Sequence, residues 1–217
     1  MIQGAIFDVD GTLLDSMYVW ETIGERYLHS LGIPSHENLW ETFRTFTLRQ
    51  SAQYYIDHYG VNLSPEEVME GINRLIENLY FTEVQLRPGV PEFLRKLDDM
   101  QIPMVIATAT DRYLVEAALK RCEVLGYFQH IITCQEAGSK TSPHIYETAR
   151  AFLGTPKADT WVFEDACHAA ATAAGVGFPV LGIRDPSEKN QEGLQAVSKV
   201  YLEDFTQIDQ FWRFFSL

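Results

Sequence analysis

The stretch Ala5-Ile6-Phe7-Asp8-Val9-Asp10-Gly11-Thr12-Leu13 decides the fold. Its apolar start reads as a buried strand. The strand ends on two carboxylates one residue apart, followed at once by Gly11 and Thr12. In an open α/β sheet the ligand crevice lies off the carboxyl ends of the strands, so Asp8 and Asp10 are delivered to it. Gly11 tolerates a turn with positive φ, and such a turn can aim successive backbone N–H groups at an anion. Two carboxylates, a nest and a hydroxyl in so short a run suit a magnesium-assisted reaction on a phosphoryl group. Two simpler readings compete. In a calcium loop of the EF-hand type the glycine would come later and a glutamate would close the loop; here the glycine is early and Val19 holds the closing place. An ordinary strand end with an Asp- and Gly-rich turn is the other, and the rest of the chain decides.

The chain has 217 residues, 46% of them hydrophobic, and a formal charge of −13. That is room for one α/β domain with a small insertion, and enough apolar sequence for a proper core. The acidic balance argues against nucleic acid or an anionic membrane as partner, so an anionic substrate must be drawn by a local positive site. Cys122, Cys134 and Cys167 are odd in number and widely spaced, which suggests neither a disulfide framework nor a zinc site. No apolar run has transmembrane length, and a first strand so near the N-terminus leaves no room for a signal peptide. The expectation is a cytoplasmic protein, either monomer or homodimer.

Working outward, the first strand covers residues 2–7. From residue 15 to about 84 the pattern is helical, with no convincing strand. Tyr18, Trp20, Ile23, Tyr27, Leu28 and Leu31 recur at helical spacing until Gly32 and Pro34 stop them. A second helix is expected over 48–59. Ser64-Pro65-Glu66-Glu67 starts a third, with an N-cap serine, proline at the first helical position and acids in the first turn. After Pro88-Gly89 an amphipathic helix is followed by alternating elements. Strands are expected over 103–108, 130–134, 160–163, 179–183 and 199–202, and helices over 113–122, 143–153 and 166–174. Alternation of this kind implies an α/β, Rossmann-like, mostly parallel sheet with helices on both faces. Residues 15–87 then form a helical cap inserted after the first strand, and 1–14 with 88–217 form the core. The cap has no lysine; its cations are Arg26, Arg44, Arg49, Arg74 and Arg87, expected mostly on solvated helix faces.

Later strand ends repeat the theme of the first. Met104-Val105-Ile106-Ala107 runs into Thr108-Ala109-Thr110, and a hydroxyl at the strand end, that of Thr108, can donate to a phosphoryl oxygen. Thr160-Trp161-Val162-Phe163 runs into Glu164-Asp165; a buried strand ending on carboxylates needs a cation or water, although Asp165 could also serve as a helix N-cap. Lys140 lies in a loop before a Pro-started helix.

Asp8-x-Asp10-Gly11-Thr12, Thr108, Lys140 and Glu164-Asp165, each at or near a strand end and in this order, make the chain resemble the haloacid dehalogenase superfamily over its whole length. The branch is the one with a helical cap after the first motif, which includes phosphatases and beta-phosphoglucomutase. The resemblance implies Asp8 as the nucleophile that takes the phosphoryl group, and Asp10 as the acid and base. It implies Mg²⁺ at the Asp8 and Asp165 carboxylates and the Asp10 carbonyl, with Glu164 a ligand through water or an acceptor behind the ligands. Thr108, Ala109, Lys140 and the backbone around Gly11 and Thr12 would hold the phosphoryl oxygens. The third motif departs from the family pattern at Lys140-Thr141-Ser142-Pro143-His144, and the fourth lacks a hydroxyl at Ala166.

Asp10 argues for phosphoryl transfer over dehalogenation, and the lysine-free cap against phosphonate cleavage. Trp20 stands where the mutase carries a proton-governing histidine, and Arg49 where mutase-like relatives carry a phosphate-binding arginine. The expected activity is a magnesium-dependent phosphatase for a small phosphorylated metabolite, with Arg49 and Trp20 contacting the substrate. A phosphosugar mutase is the alternative, and a non-catalytic binding protein on this fold a third reading. The cap is expected to close over Asp8.

Overall fold

A computed structural model describes residues 2–43 and 46–215; Arg44 lies outside them. The chain begins with β1 (Gly4–Phe7) and a short β2 (Leu14–Asp15). Four helices follow: α1 (Met17–Ser30), α2 (Leu39–Phe43), α3 (Leu48–Tyr59) and α4 (Pro65–Thr82). It returns through β3 (Gln85–Leu86) into α5 (Val90–Asp99), β4 (Met104–Thr108), α6 (Arg112–Arg121), β5 (Phe128–Thr133), α7 (Cys134–Ala137) and α8 (His144–Leu153). The last elements are β6 (Thr160–Glu164), α9 (Cys167–Gly175), β7 (Val180–Ile183), α10 (Gln191–Val197), β8 (Val200–Leu202) and α11 (Asp209–Arg213). Two compact units emerge, one of Met1–Asp15 with Val84–Leu217 and one of Ser16–Glu83.

In the first unit six strands form a sheet in the order β5-β4-β1-β6-β7-β8, with every pairing parallel. The α/β class expected from the alternating pattern is the class observed. The earliest strand is therefore central, paired with β4 on one side and β6 on the other. Its four residues are buried, as a central parallel strand requires. Side chains alternate across the sheet. Ile6, Val105, Ile132, Val162 and Val180 face a core closed by Ile145, Tyr146 and Ala149 of α8, Ala170 and Ala173 of α9, and Leu194 of α10. Phe7 and Phe163 stack on the other face at 4.3 Å between ring centroids. There they meet Phe93 of α5 and Phe211 of α11 edge-on or tilted. The apolar C-terminal segment docks on the sheet through Phe211, which also packs against Trp161.

At the two edges of the insertion, Leu14 and Asp15 pair antiparallel with Leu86 and Gln85. Two-residue strands carry no readable period, which is why the ribbon escapes the pattern. The same holds for the short helices α2, α7, α10 and α11. In the second unit, α3 and α4 both open on reciprocal capping boxes, Thr47 with Gln50 and Ser64 with Glu67. The Tyr55 hydroxyl donates to the Gly24 carbonyl at 3.1 Å, and a Cβ at Gly24 would stand 2.8 Å from that of Leu39. Glycine there allows α1 its close approach to α2. Among the described residues no helix is long and apolar enough to cross a membrane.

Candidate active site

Asp8 extends β1 by one residue, its N–H donating to the Phe163 carbonyl at 3.0 Å. The chain then wraps around the Val9 carbonyl, which accepts from the N–H groups of Thr12, Leu13 and Leu14. Gly11 adopts φ +82° and donates to Leu14 O at 2.9 Å. This corrects the expectation that the Gly11 and Thr12 N–H groups form an anion nest: both are used in closing the turn. The Val9 N–H instead bonds the Asp8 carboxylate. Thr12 contributes its hydroxyl, which donates to Asp165 Oδ1 at 3.1 Å.

Glu164 ends β6 and Asp165 follows it, both buried. Asp165 is not the N-cap of α9; Ala166 holds that place without a side-chain cap. The first N–H of α9 is taken by Glu188 Oε2 at 2.8 Å, which leaves the Asp165 carboxylate for the site. Oxygens of Asp8, Glu164 and Asp165 lie within 4.8 Å of one another. Lys140 reaches in from the loop before α8 and donates to Asp8 Oδ1 and to Glu164 Oε2, the latter at 2.9 Å. The departures of the third motif do not displace this lysine. Hydroxyls brace its loop instead: Ser139 Oγ accepts from Thr141 N–H, and Ser142 Oγ from His144 N–H.

Three buried carboxylates against one ammonium set the electrostatics. Burial and then the neighbouring Glu164 push Asp8 up to about 6, against the pull of Lys140. Burial and the charges of Asp8 and Glu164 push Asp165 well above the usual carboxylate range. Burial alone would lower Lys140, but Asp8 and Glu164 hold it well above its ordinary value. The cluster carries more negative charge than Lys140 offsets, and every donor is a hard oxygen. These residues fit a small divalent cation such as Mg²⁺.

Thr108 ends β4, fully buried, and its hydroxyl accepts the Thr110 N–H at 3.1 Å. Ala109 between them is exposed. Thr110 donates its hydroxyl to Asp10 Oδ2 at 2.5 Å. Asp8, Asp10, Thr12, Thr108, Lys140, Glu164 and Asp165 all belong to the first unit.

Two further residues matter and were not singled out from sequence. Thr110 is one. The other is Arg87, one of five arginines expected mostly on solvated helix faces, and found buried in the first unit. Its guanidinium donates to Gly11 O and Asp185 Oδ2, each at 2.8 Å, and to the carbonyls of Arg184 and Glu203. Neither signal lies in local sequence, because the partners are distant in the chain. Arg49 and Trp20 belong to the second unit. Arg49 is 62% exposed and pairs with Glu66 at 2.7 Å. Trp20 donates its indole N–H to the Tyr80 hydroxyl at 3.1 Å. It lines an apolar cavity of about 220 Å³ with Trp40, Phe43, Ile72 and Ile76.

A parallel sheet whose strand ends converge on two aspartates, a buried lysine and an acidic pair defines a class of hydrolase. The chain belongs to the haloacid dehalogenase-like hydrolase family, which it matches over residues 5–183. It is 26% identical over 214 residues to the "Probable pseudouridine-5'-phosphatase" of Drosophila melanogaster, covering 94% of this chain and 91% of that protein. It is also 26% identical over 211 residues to "Validoxylamine A 7'-phosphate phosphatase" of Streptomyces hygroscopicus subsp. limoneus, covering 96% of each. In fold it is similar to the "putative beta-phosphoglucomutase" of Thermotoga maritima, with a TM-score of 0.85, 21% identity, and 98% and 99% of the two chains covered.

Proposed function

We propose that the protein is a divalent-metal-dependent phosphatase that hydrolyses the phosphate ester of a small metabolite. The observation that carries this reading is the buried pairing of Asp8 with Lys140 beside Glu164 and Asp165. The family and the phosphatases among its relatives support it.

Asp8 attacks phosphorus, and the bond to the leaving oxygen breaks as the Asp8 oxygen–phosphorus bond forms. Asp10 gives its proton to the leaving oxygen, and the alcohol departs. Asp10, now a carboxylate, takes a proton from water as that water attacks the aspartyl-phosphate. Inorganic phosphate leaves, Asp8 is restored and Asp10 is protonated again. Lys140 and the Thr108 hydroxyl hold phosphoryl oxygens and meet the charge that spreads over them. Asp8, Asp165 and the Asp10 carbonyl would hold Mg²⁺, with Glu164 behind them. When bound, the ion supplies positive charge that lets an anionic ester approach an anionic nucleophile. The mutase alternative has less support: an indole, unlike an imidazole, is neither a useful acid nor a useful base at neutral pH, and the N–H of Trp20 is engaged with Tyr80.

The test is phosphate release by the purified protein with Mg²⁺ over a panel of sugar, nucleotide and glycerol phosphates, beside Asp8→Asn. Release by the wild type and none by the folded variant is the expected result. Near-normal turnover by Asp8→Asn would overturn the assignment of the nucleophile. Efficient conversion of beta-glucose 1-phosphate to glucose 6-phosphate would replace the phosphatase with the mutase.

A further inference from the structure

Asp10 must give a proton to one atom and later take a proton from another, so the direction in which its carboxyl group is held matters. A carboxylic acid has two oxygens and one proton. Here Oδ2 accepts the hydroxyl hydrogen of Thr110 at 2.5 Å. Thr110 is buried and is itself held, its N–H donating to the Thr108 hydroxyl oxygen at 3.1 Å. The donor aimed at Asp10 is therefore fixed by the end of β4.

We propose that Thr110 is the positioning residue for Asp10: by donating to Oδ2 it fixes the carboxyl rotamer from which the proton is transferred. This rests on the reading of Asp10 as acid and base. When the ester bond breaks, its electron pair goes to the leaving oxygen, which takes the proton from Asp10. Asp10 is left as a carboxylate with Thr110 still donating to Oδ2. The same contact then holds the carboxylate in place to receive a proton from water.

The measurement is kcat/KM for two aryl phosphates of similar shape, phenyl phosphate and 4-nitrophenyl phosphate, because kcat/KM reports the steps up to departure of the leaving group. Phenolate needs protonation on leaving; 4-nitrophenolate needs it far less. Thr110→Val keeps the shape and removes the hydroxyl. It should lower kcat/KM for phenyl phosphate about tenfold or more and for the nitrophenyl ester less than about threefold. Thr110→Ser should restore the wild-type ratio of the two substrates. That ratio does not depend on the fraction of folded enzyme, so a merely structural defect leaves it unchanged. An equal loss on both esters, or a serine variant that behaves like the valine one, overturns the proposal while leaving the phosphatase reading intact. A wild type that releases phosphate neither from these esters nor from the sugar, nucleotide and glycerol phosphates overturns both.

Discussion

Asp8 is given two demands that oppose each other. As a nucleophile it must be ionised, yet it sits where burial and Glu164 push it up to about 6. Asp165 is displaced in the same direction, by burial first and then by Asp8. The sign for stability follows from linkage. For a carboxylate raised in the folded state, the contribution to stability is complete below its unfolded pKa of about 4 and is lost as pH rises through about 6. The metal-free protein is thus penalised at neutral pH by these two groups, and a cation held by the ionised forms relieves the penalty. Mg²⁺ in about tenfold excess over its dissociation constant should raise the melting temperature by a few degrees at pH 7.5. The rise should be much smaller at pH 5, where protons compete for the same oxygens. Thermal melts at the two pH values check this; an equal rise at both would mean the cation binds elsewhere.

At the scale of elements, the strongest signals in the sequence were those with a period or a cap. The helix expected over 48–59 is α3, and the Ser64 start is the N-terminus of α4. Ser64 takes the Glu67 N–H, while the Glu67 carboxylate takes those of Ser64 and its hydroxyl hydrogen. Ser64→Ala should cost about 1 kcal/mol, read as a lower midpoint in urea unfolding. A midpoint equal to wild type would mean the box is not formed in solution. The site residues at strand ends were equally legible, because Asp8, Thr108 and Glu164-Asp165 each stop an apolar run. What stayed illegible was set by tertiary geometry. Nothing in Thr108-Ala109-Thr110 says that its second hydroxyl meets a carboxylate one hundred positions earlier in the chain. Nothing near Arg87 says that it is buried among the strand ends. The spent N–H groups of Gly11 and Thr12 belong here too. The motif gives the turn, but which donors the turn consumes depends on Val9 and Leu14.

At the scale of the molecule, the division into Met1–Asp15 with Val84–Leu217 and Ser16–Glu83 has a physical basis in the β2–β3 ribbon. The chain leaves and re-enters the first unit on paired, adjacent strands. Replacing residues 16–83 with a short glycine-containing turn should leave a first unit that unfolds cooperatively and still gains stability from Mg²⁺ at pH 7.5. A molten product without a cooperative transition, followed by near-UV circular dichroism, would show that the insertion is needed for folding. The Arg87 clamp adds a consequence in the order of synthesis. Chains fold as they emerge, N-terminal parts first. The nucleophile strand leaves the ribosome among the earliest residues, but its neighbours β4 and β6 follow roughly 100 and 155 positions later. The guanidinium that grips Gly11 finds Asp185 and the Glu203 carbonyl later still. The catalytic turn is thus the first part made and among the last completed, and a nascent chain halted before residue 185 carries every proposed catalytic side chain without the clamp on the turn that presents two of them.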